Sequence, residues 1–165
     1  MNEMPSVVTE RVDDIPLLVA QMRRMELPSL IDSYFVVHGN RQGLSVGWTA
    51  TVWLAHILSQ ADHRLNQVQP WAERRLATLR GSTDRPVAVL DLTDDRLAAV
   101  LRTLADDAAW VCFERALGRT GRDQLRGSAV HRLDHRIGDV IGRLAGLEIG
   151  LEGVELGLQG HDLAP

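Results

Sequence analysis

The sequence predicts an all-α fold, a small multi-helix bundle followed by a Gly-rich, weakly structured C-terminal tail. Three observations predict it. Apolar residues recur at helical spacing through the first two-thirds of the 165-residue chain. Capping residues and prolines punctuate those runs at their starts. Composition then changes sharply near Leu117. Residues 1–117 hold 4 of the 14 glycines and all the aromatics, whereas residues 118–165 hold ten glycines and no aromatic ring. A segment with a glycine at about every fifth position builds a core poorly, because Gly raises the entropy cost of ordering and buries no side chain. The chain therefore divides into a helical domain, 9–117, and an atypical tail, 118–165.

The first helix starts at Asp13 or Asp14 with Pro16 in its first turn, and Leu17, Leu18, Met22 and Met25 supply its apolar positions. Pro28 opens a short second helix through Leu30, Ile31, Tyr34 and Phe35. The turn-rich segment His38-Gly39-Asn40-Arg41-Gln42-Gly43 follows. Ser45 caps a third helix that runs to about Gln60. Val46, Trp48, Val52, Trp53, Leu54, Ile57 and Leu58 wrap it almost all round, as in the central helix of a bundle.

Pro70 starts a fourth helix, Trp71 to Arg80, and Gly81 ends it as a C′ glycine. Val87 to Leu90 reads as a short β-like run or only extended chain. Thr93 with Asp94 and Asp95 starts a fifth helix through Leu97, Val100, Leu101 and Leu104, with acids at the positive end of its dipole. Asp106 or Asp107 caps a sixth, with Trp110, Val111, Phe113, Ala116 and Leu117, closed by Gly118. In the tail, Val130 to Leu133 reads as a short strand. From Ile137 onward, glycines and apolar residues alternate with a near-four spacing that charged residues interrupt.

Composition excludes several classes of function. The chain is 45% apolar and 24% charged, an ordinary globular balance. Its single cysteine, Cys112, forbids an internal disulfide and a cysteine-ligated zinc site, and fits a reducing cytoplasm. The N-terminal residues carry no basic segment before an apolar one, so no secretory signal is read there. The longest apolar stretch, Val46 to Leu58, is shorter than the about 20 residues that cross a bilayer. No membrane association, cofactor, metal or small-molecule ligand is expected. All 18 basic residues are Arg, and the net charge is −4. Bulk polyanion binding is therefore excluded, while a local basic patch is not.

The chemistry-bearing groups are few. Asp13-Asp14, Asp94-Asp95 and Asp106-Asp107 are carboxylate pairs of the kind that hold divalent metals for phosphoryl transfer, but each stands where a helix needs a cap. His56 and His63 lack the third ligand of a zinc site, and His56 reads as a core histidine. No serine or cysteine has a nucleophile context. Charge is distributed unevenly. Residues 64–85 carry Arg64, Arg74, Arg75, Arg80 and Arg85 against Glu73 and Asp84, a net of +3. Residues 91–107 carry five Asp against Arg96 and Arg102, a net of −3. Three readings follow: arginines placed for DNA phosphates, two segments that pair with each other, or solvated faces.

Several strings of residues recur together in one family. They are Val12-Asp13-Asp14-Ile15-Pro16-Leu17-Leu18, His38-Gly39-Asn40-Arg41-Gln42-Gly43-Leu44-Ser45-Val46-Gly47, Trp53-Leu54-Ala55-His56-Ile57-Leu58-Ser59-Gln60-Ala61-Asp62-His63-Arg64-Leu65-Asn66, Val68-Gln69-Pro70-Trp71 and Leu92-Thr93-Asp94-Asp95-Arg96-Leu97. Over about residues 9–117 the chain resembles the N-terminal region of bacterial DDE-type insertion-sequence transposases. In that family a helical N-terminal domain precedes an RNase H-like core whose three carboxylates bind divalent metal to cut and join DNA. The resemblance implies a domain that recognises transposon-end DNA or helps assemble the transposase on it, with no catalytic activity by itself.

Val130-His131-Arg132-Leu133-Asp134 looks like the start of the strand bearing the family's first catalytic Asp. Here His135-Arg136-Ile137-Gly138 replaces the family's Thr-rich continuation. The expectation is a truncated copy whose tail departs from the family's reading frame between Gly118 and His135. Arg64, Arg74, Arg75 and Arg80 are the residues expected to meet DNA. The rival reading is a protein–protein module in which the Trp-rich helices self-associate, and a third is a remnant without function.

Overall fold

The structure, a computed structural model, describes residues 9–36 and 42–125, with side chains as far as Thr120. Those residues form seven α-helices and one 3-10 turn, with no strand among them. In order these are α1 (Ile15–Arg24), α2 (Leu27–Tyr34), α3 (Val46–Gln60), α4 (Leu65–Glu73), α5 (Leu76–Thr83), the 3-10 turn Val89–Leu92, α6 (Asp94–Leu104) and α7 (Asp107–Leu125). The described residues adopt the expected all-α class. The Asn40 segment, the strand at Val130–Leu133, Asp134 and the Gly-spaced run from Ile137 lie outside the described residues, save that Gln42 and Gly43 are described.

α3 occupies the centre. Ser45 Oγ accepts the Trp48 amide, as an N-cap should, and every residue from Thr49 to His56 is buried. α1, α2, α4 and α6 pack around it, α5 lies on α1, and α7 lies chiefly on α2. α1 presents Ile15, Leu18, Val19 and Met22 to the core, whereas Leu17 points to solvent at 68% exposure. At 100° per residue Leu17 falls off the stripe that Ile15, Leu18 and Met22 define.

Several expected boundaries move. A single helix from Pro70 to Arg80 is replaced by α4 and α5, which meet at Arg74-Arg75, and Pro70 lies inside α4. Its ring takes a donor away from the Asn66 carbonyl, in the exposed first turn of α4, where that loss is tolerated. Gly81 is an interior residue of α5, and the left-handed residue that closes the helix is Asp84, with φ 56°. Likewise Gly118 does not stop the last helix, because α7 continues to Leu125. Val87–Leu90, read as extended, runs into the 3-10 turn instead.

Gly81 is exposed, and a β-carbon added there meets nothing within 4 Å. Gly81→Ala is therefore expected to raise stability by about 0.5–1 kcal/mol, the helix-propensity difference, as read by urea unfolding.

The bundle is tied together at a buried carboxylate. Asp91, 2% exposed, accepts the Leu44 amide (3.2 Å) on Oδ1 and the Ala88 amide (3.0 Å) on Oδ2, and pairs with Arg96 Nη1 at 3.0 Å. Arg96 Nη2 in turn donates to the Gln42 carbonyl. Gly43 completes this corner with φ 86°, and a β-carbon there would lie 2.0 Å from Asp91 Oδ1. Both the backbone angle and the close approach call for glycine.

Candidate nucleic-acid interface

The four arginines singled out by charge lie at the ends of α4 and α5. Arg64 is the N-cap residue of α4, Arg74 its C-cap, Arg75 the N-cap residue of α5, and Arg80 stands in the last turn of α5. Their environments differ. Arg64 is exposed and chelated by Asp62, with Nη2 2.7 Å from Oδ2, while Asp62 Oδ1 also accepts the Arg64 amide. The Arg64 guanidinium holds the Asp62 carboxyl well below the usual carboxylate range. Arg80 is exposed, but its Nε donates to the Val87 carbonyl (2.9 Å), which pins the chain after α5. Arg74 is exposed and has no ion-pair or hydrogen-bond partner among the described residues. It lines a cleft of about 590 Å³ with Arg11, Glu10, Glu73 and Gln60.

Arg75 departs from the expectation. It is buried, its Nη2 pairs with Asp13 Oδ2 at 3.0 Å, and its guanidinium lies 5.6 Å from the Trp71 ring centroid. The physical reason is spacing: Trp71 and Arg75 stand four residues apart, which stacks a cation on an indole face, and Asp13 neutralises the charge drawn inward. Arg75 therefore holds the α4–α5 corner against the segment before α1 and is not exposed to a phosphate.

That corner has a second fastening. Glu10 accepts the Ala77 amide on Oε1 (3.0 Å) and both the Thr78 amide (2.8 Å) and the Thr78 hydroxyl (2.9 Å) on Oε2. A carboxylate from 67 residues away thus serves as the N-cap of α5, which has no cap of its own. The two amides lower the Glu10 pKa from 4.5. Sequence reasoning missed Glu10 and Asp13 as partners of this corner. No local signal marks Glu10, and the sequence around Asp13 predicts an N-cap instead. In the structure neither Asp13 nor Asp14 caps α1 with its side chain, and Thr93 does not cap α6 with its own. Of the three carboxylate pairs, Asp106 is a side-chain cap, taking the Ala108 and Ala109 amides on Oδ1.

His56 is a core residue, as expected. It is 2% exposed, with its ring edge-on to Trp71 at 5.1 Å, and its Nδ1 has no partner among the described residues. Burial lowers its pKa from 6.5, against the opposing charge of Asp62. α3 ends at Gln60, with Ala61 left-handed at φ 52°, so His63 does not share a helix face with His56. Among the described residues no three His, Cys, Asp or Glu side chains gather as a metal site. No ion pair among them joins the basic 64–85 segment to the acidic 91–107 segment: Arg75 goes to Asp13, Arg64 to Asp62, and Arg96 to Asp91 within the acidic stretch.

These shifts set a pH dependence. A buried neutral histidine binds a proton more readily when unfolded, so its stabilisation is present above 6.5 and is lost as pH falls through the lower folded value. Glu10 and Asp13, whose pKa values are lowered by Ala77 and by Arg75 respectively, add a second loss below about 4.5 and 3.8. Urea unfolding between pH 7 and 3 should show both stages. In His56→Phe the first stage should vanish and the second remain.

Comparison with protein-family models, with curated proteins and with solved structures finds no match to this chain. Among the described residues no helix is long and apolar enough to cross a membrane.

Proposed function

We propose that this helical bundle is the N-terminal domain of a DDE-type insertion-sequence transposase, and that it recognises transposon-end DNA through the exposed arginines of the α4–α5 edge. One observation carries the choice of surface. Arg64, Arg74 and Arg80 stay at the surface at the ends of adjacent helices, while Arg75, Asp13 and Glu10 are used to fix that corner in place. The fixed corner holds the backbone that carries these arginines, and Arg74 has no acid of its own among the described residues. The domain binds and positions DNA, and the carboxylates that cut and join it belong to the family's separate RNase H-like core.

The test is capture of sheared genomic DNA by the full chain, followed by sequencing. Enrichment of fragments that carry terminal inverted repeats is the expected result, with an affinity that falls steeply with salt. In the triple variant Arg64→Ala, Arg74→Ala, Arg80→Ala the enrichment should disappear while the fold persists. Unchanged capture by that variant would rule out this edge.

A second reading, assembly with another copy, draws on two exposed apolar residues, one after α2 and one on the outer face of α7. Val36 is 65% and Val111 55% exposed, each next in sequence to a member of the Phe35–Trp110–Phe113 cluster. A mass that rises with protein concentration in the absence of DNA would favour it.

A further inference from the structure

α7 divides cleanly into two faces. Phe113 is buried and Ala109, Trp110 and Leu117 are half-buried against the core, whereas Val111, Cys112, Arg115 and Arg119 are exposed. Arg115 and Arg119 stand one turn apart in the middle of that outer face, opposite Phe113.

Most other described arginines have a structural duty. Arg11, Arg64, Arg75 and Arg96 pair with carboxylates, Arg23 and Arg80 donate to backbone carbonyls, and Arg85 lies over Trp48. Arg24 and Arg102 stand in the last turns of α1 and α6, where the helix dipole favours a cation. Arg115 and Arg119 have no hydrogen bond or ion pair among the described residues, and neither lies in the last turn of α7. Glu114, next to Arg115, accepts the Trp110 indole N–H at 3.0 Å and so faces away from the stripe. Like charges at i and i+4 weaken a helix rather than support it. Among the described side chains, therefore, nothing within the fold uses the charge of Arg115 or Arg119.

We propose that the outer face of α7 contacts the phosphates of duplex DNA, as a surface separate from the α4–α5 edge. The inference rests on the DNA-binding reading above. Its argument is charge complementarity. The 1.5 Å rise per residue puts Arg115 and Arg119 about 6 Å apart along the axis, and each DNA strand carries a phosphate at about every 3.4 Å of its own axis. Each guanidinium thus has a phosphate within reach. A helix about 10–12 Å across, packed on one side only, also fits the about 12 Å major groove.

The experiment measures affinity of the full chain for a mixed-sequence 30-base-pair duplex between 50 and 200 mM salt. Two neutralised phosphates contribute about 1.8 to the slope of log K against log salt. Arg115→Ala with Arg119→Ala should lower the slope by that amount. The affinity deficit of the variant should then be about tenfold larger at 50 than at 200 mM. The double Lys variant should restore the slope, since a phosphate contact needs the charge. Both sites are exposed, so the thermal melt serves as the folding control. A slope unchanged in the Ala variant, while the triple variant of the α4–α5 edge loses binding, overturns the assignment to α7 and leaves the DNA reading standing. Absence of duplex binding by the unmodified chain overturns both.

Discussion

Asp91→Ala is expected to lower the unfolding free energy by about 3 kcal/mol, the lower end of the range for breaking a buried ion pair. The carboxylate is 2% exposed and serves three elements at once: the Leu44 amide before α3, the Ala88 amide before the 3-10 turn, and Arg96 in α6. Removing it takes an acceptor from two amides and leaves a guanidinium without its counter-charge. Arg96 is 30% exposed and recovers some hydration, which keeps the cost from the upper end of that range. Asp91→Asn retains one acceptor oxygen and the shape, and should lose about half as much. With a urea m-value of about 2 kcal/mol/M, the alanine variant should unfold at a midpoint more than about 1 M lower. A loss under about 1 kcal/mol would show that the corner is held by packing alone.

Gly47→Ala should cost about 2–3 kcal/mol, the cost of overpacking a core against atoms that do not yield. A β-carbon at position 47 would sit 2.0 Å from the Pro28 carbonyl oxygen and 2.8 Å from its carbon. Those are backbone atoms of α2, so relief requires the helix to move away from α3. Moving it weakens the Asp32 Oδ1 contact with the Gly47 amide, now 2.7 Å. Thermal unfolding reads the effect directly. The same substitution at Gly81 is expected to act in the opposite direction, because nothing surrounds that position. A Gly47→Ala variant as stable as the unmodified chain would mean that α2 and α3 are not in such close contact.

Much of the fold was legible along the chain. Ser45, the apolar girth of residues 46–58 and the Pro16 and Pro28 starts each predict the helix that forms there, because caps, prolines and periodicity act within a few residues. The failures are also local in origin. Pro70 and Gly81 read as start and stop signals, yet α4 begins before one and α5 passes through the other. A distant carboxylate, Glu10, caps α5 and so sets the break between the helices, and no pattern near residue 76 contains it.

The candidate site divides in the same way. Charge along the sequence marked Arg64, Arg74, Arg75 and Arg80 as a group, and chain proximity does place them on one pair of helices. Which of them faces water was decided by Trp71 and Asp13, which draw Arg75 inward. The stripe of Arg115 and Arg119 is visible as spacing, but only the packing of Phe113 and Trp110 on α2 turns it outward. The sequence by itself determined the helical class, most helix starts and the central place of α3, since these depend on propensity, capping and hydrophobic period. The tertiary structure alone decided which arginines are free, which glycines are essential and where α4 gives way to α5. Those outcomes depend on contacts between residues tens of positions apart, and a linear pattern carries no distance between them.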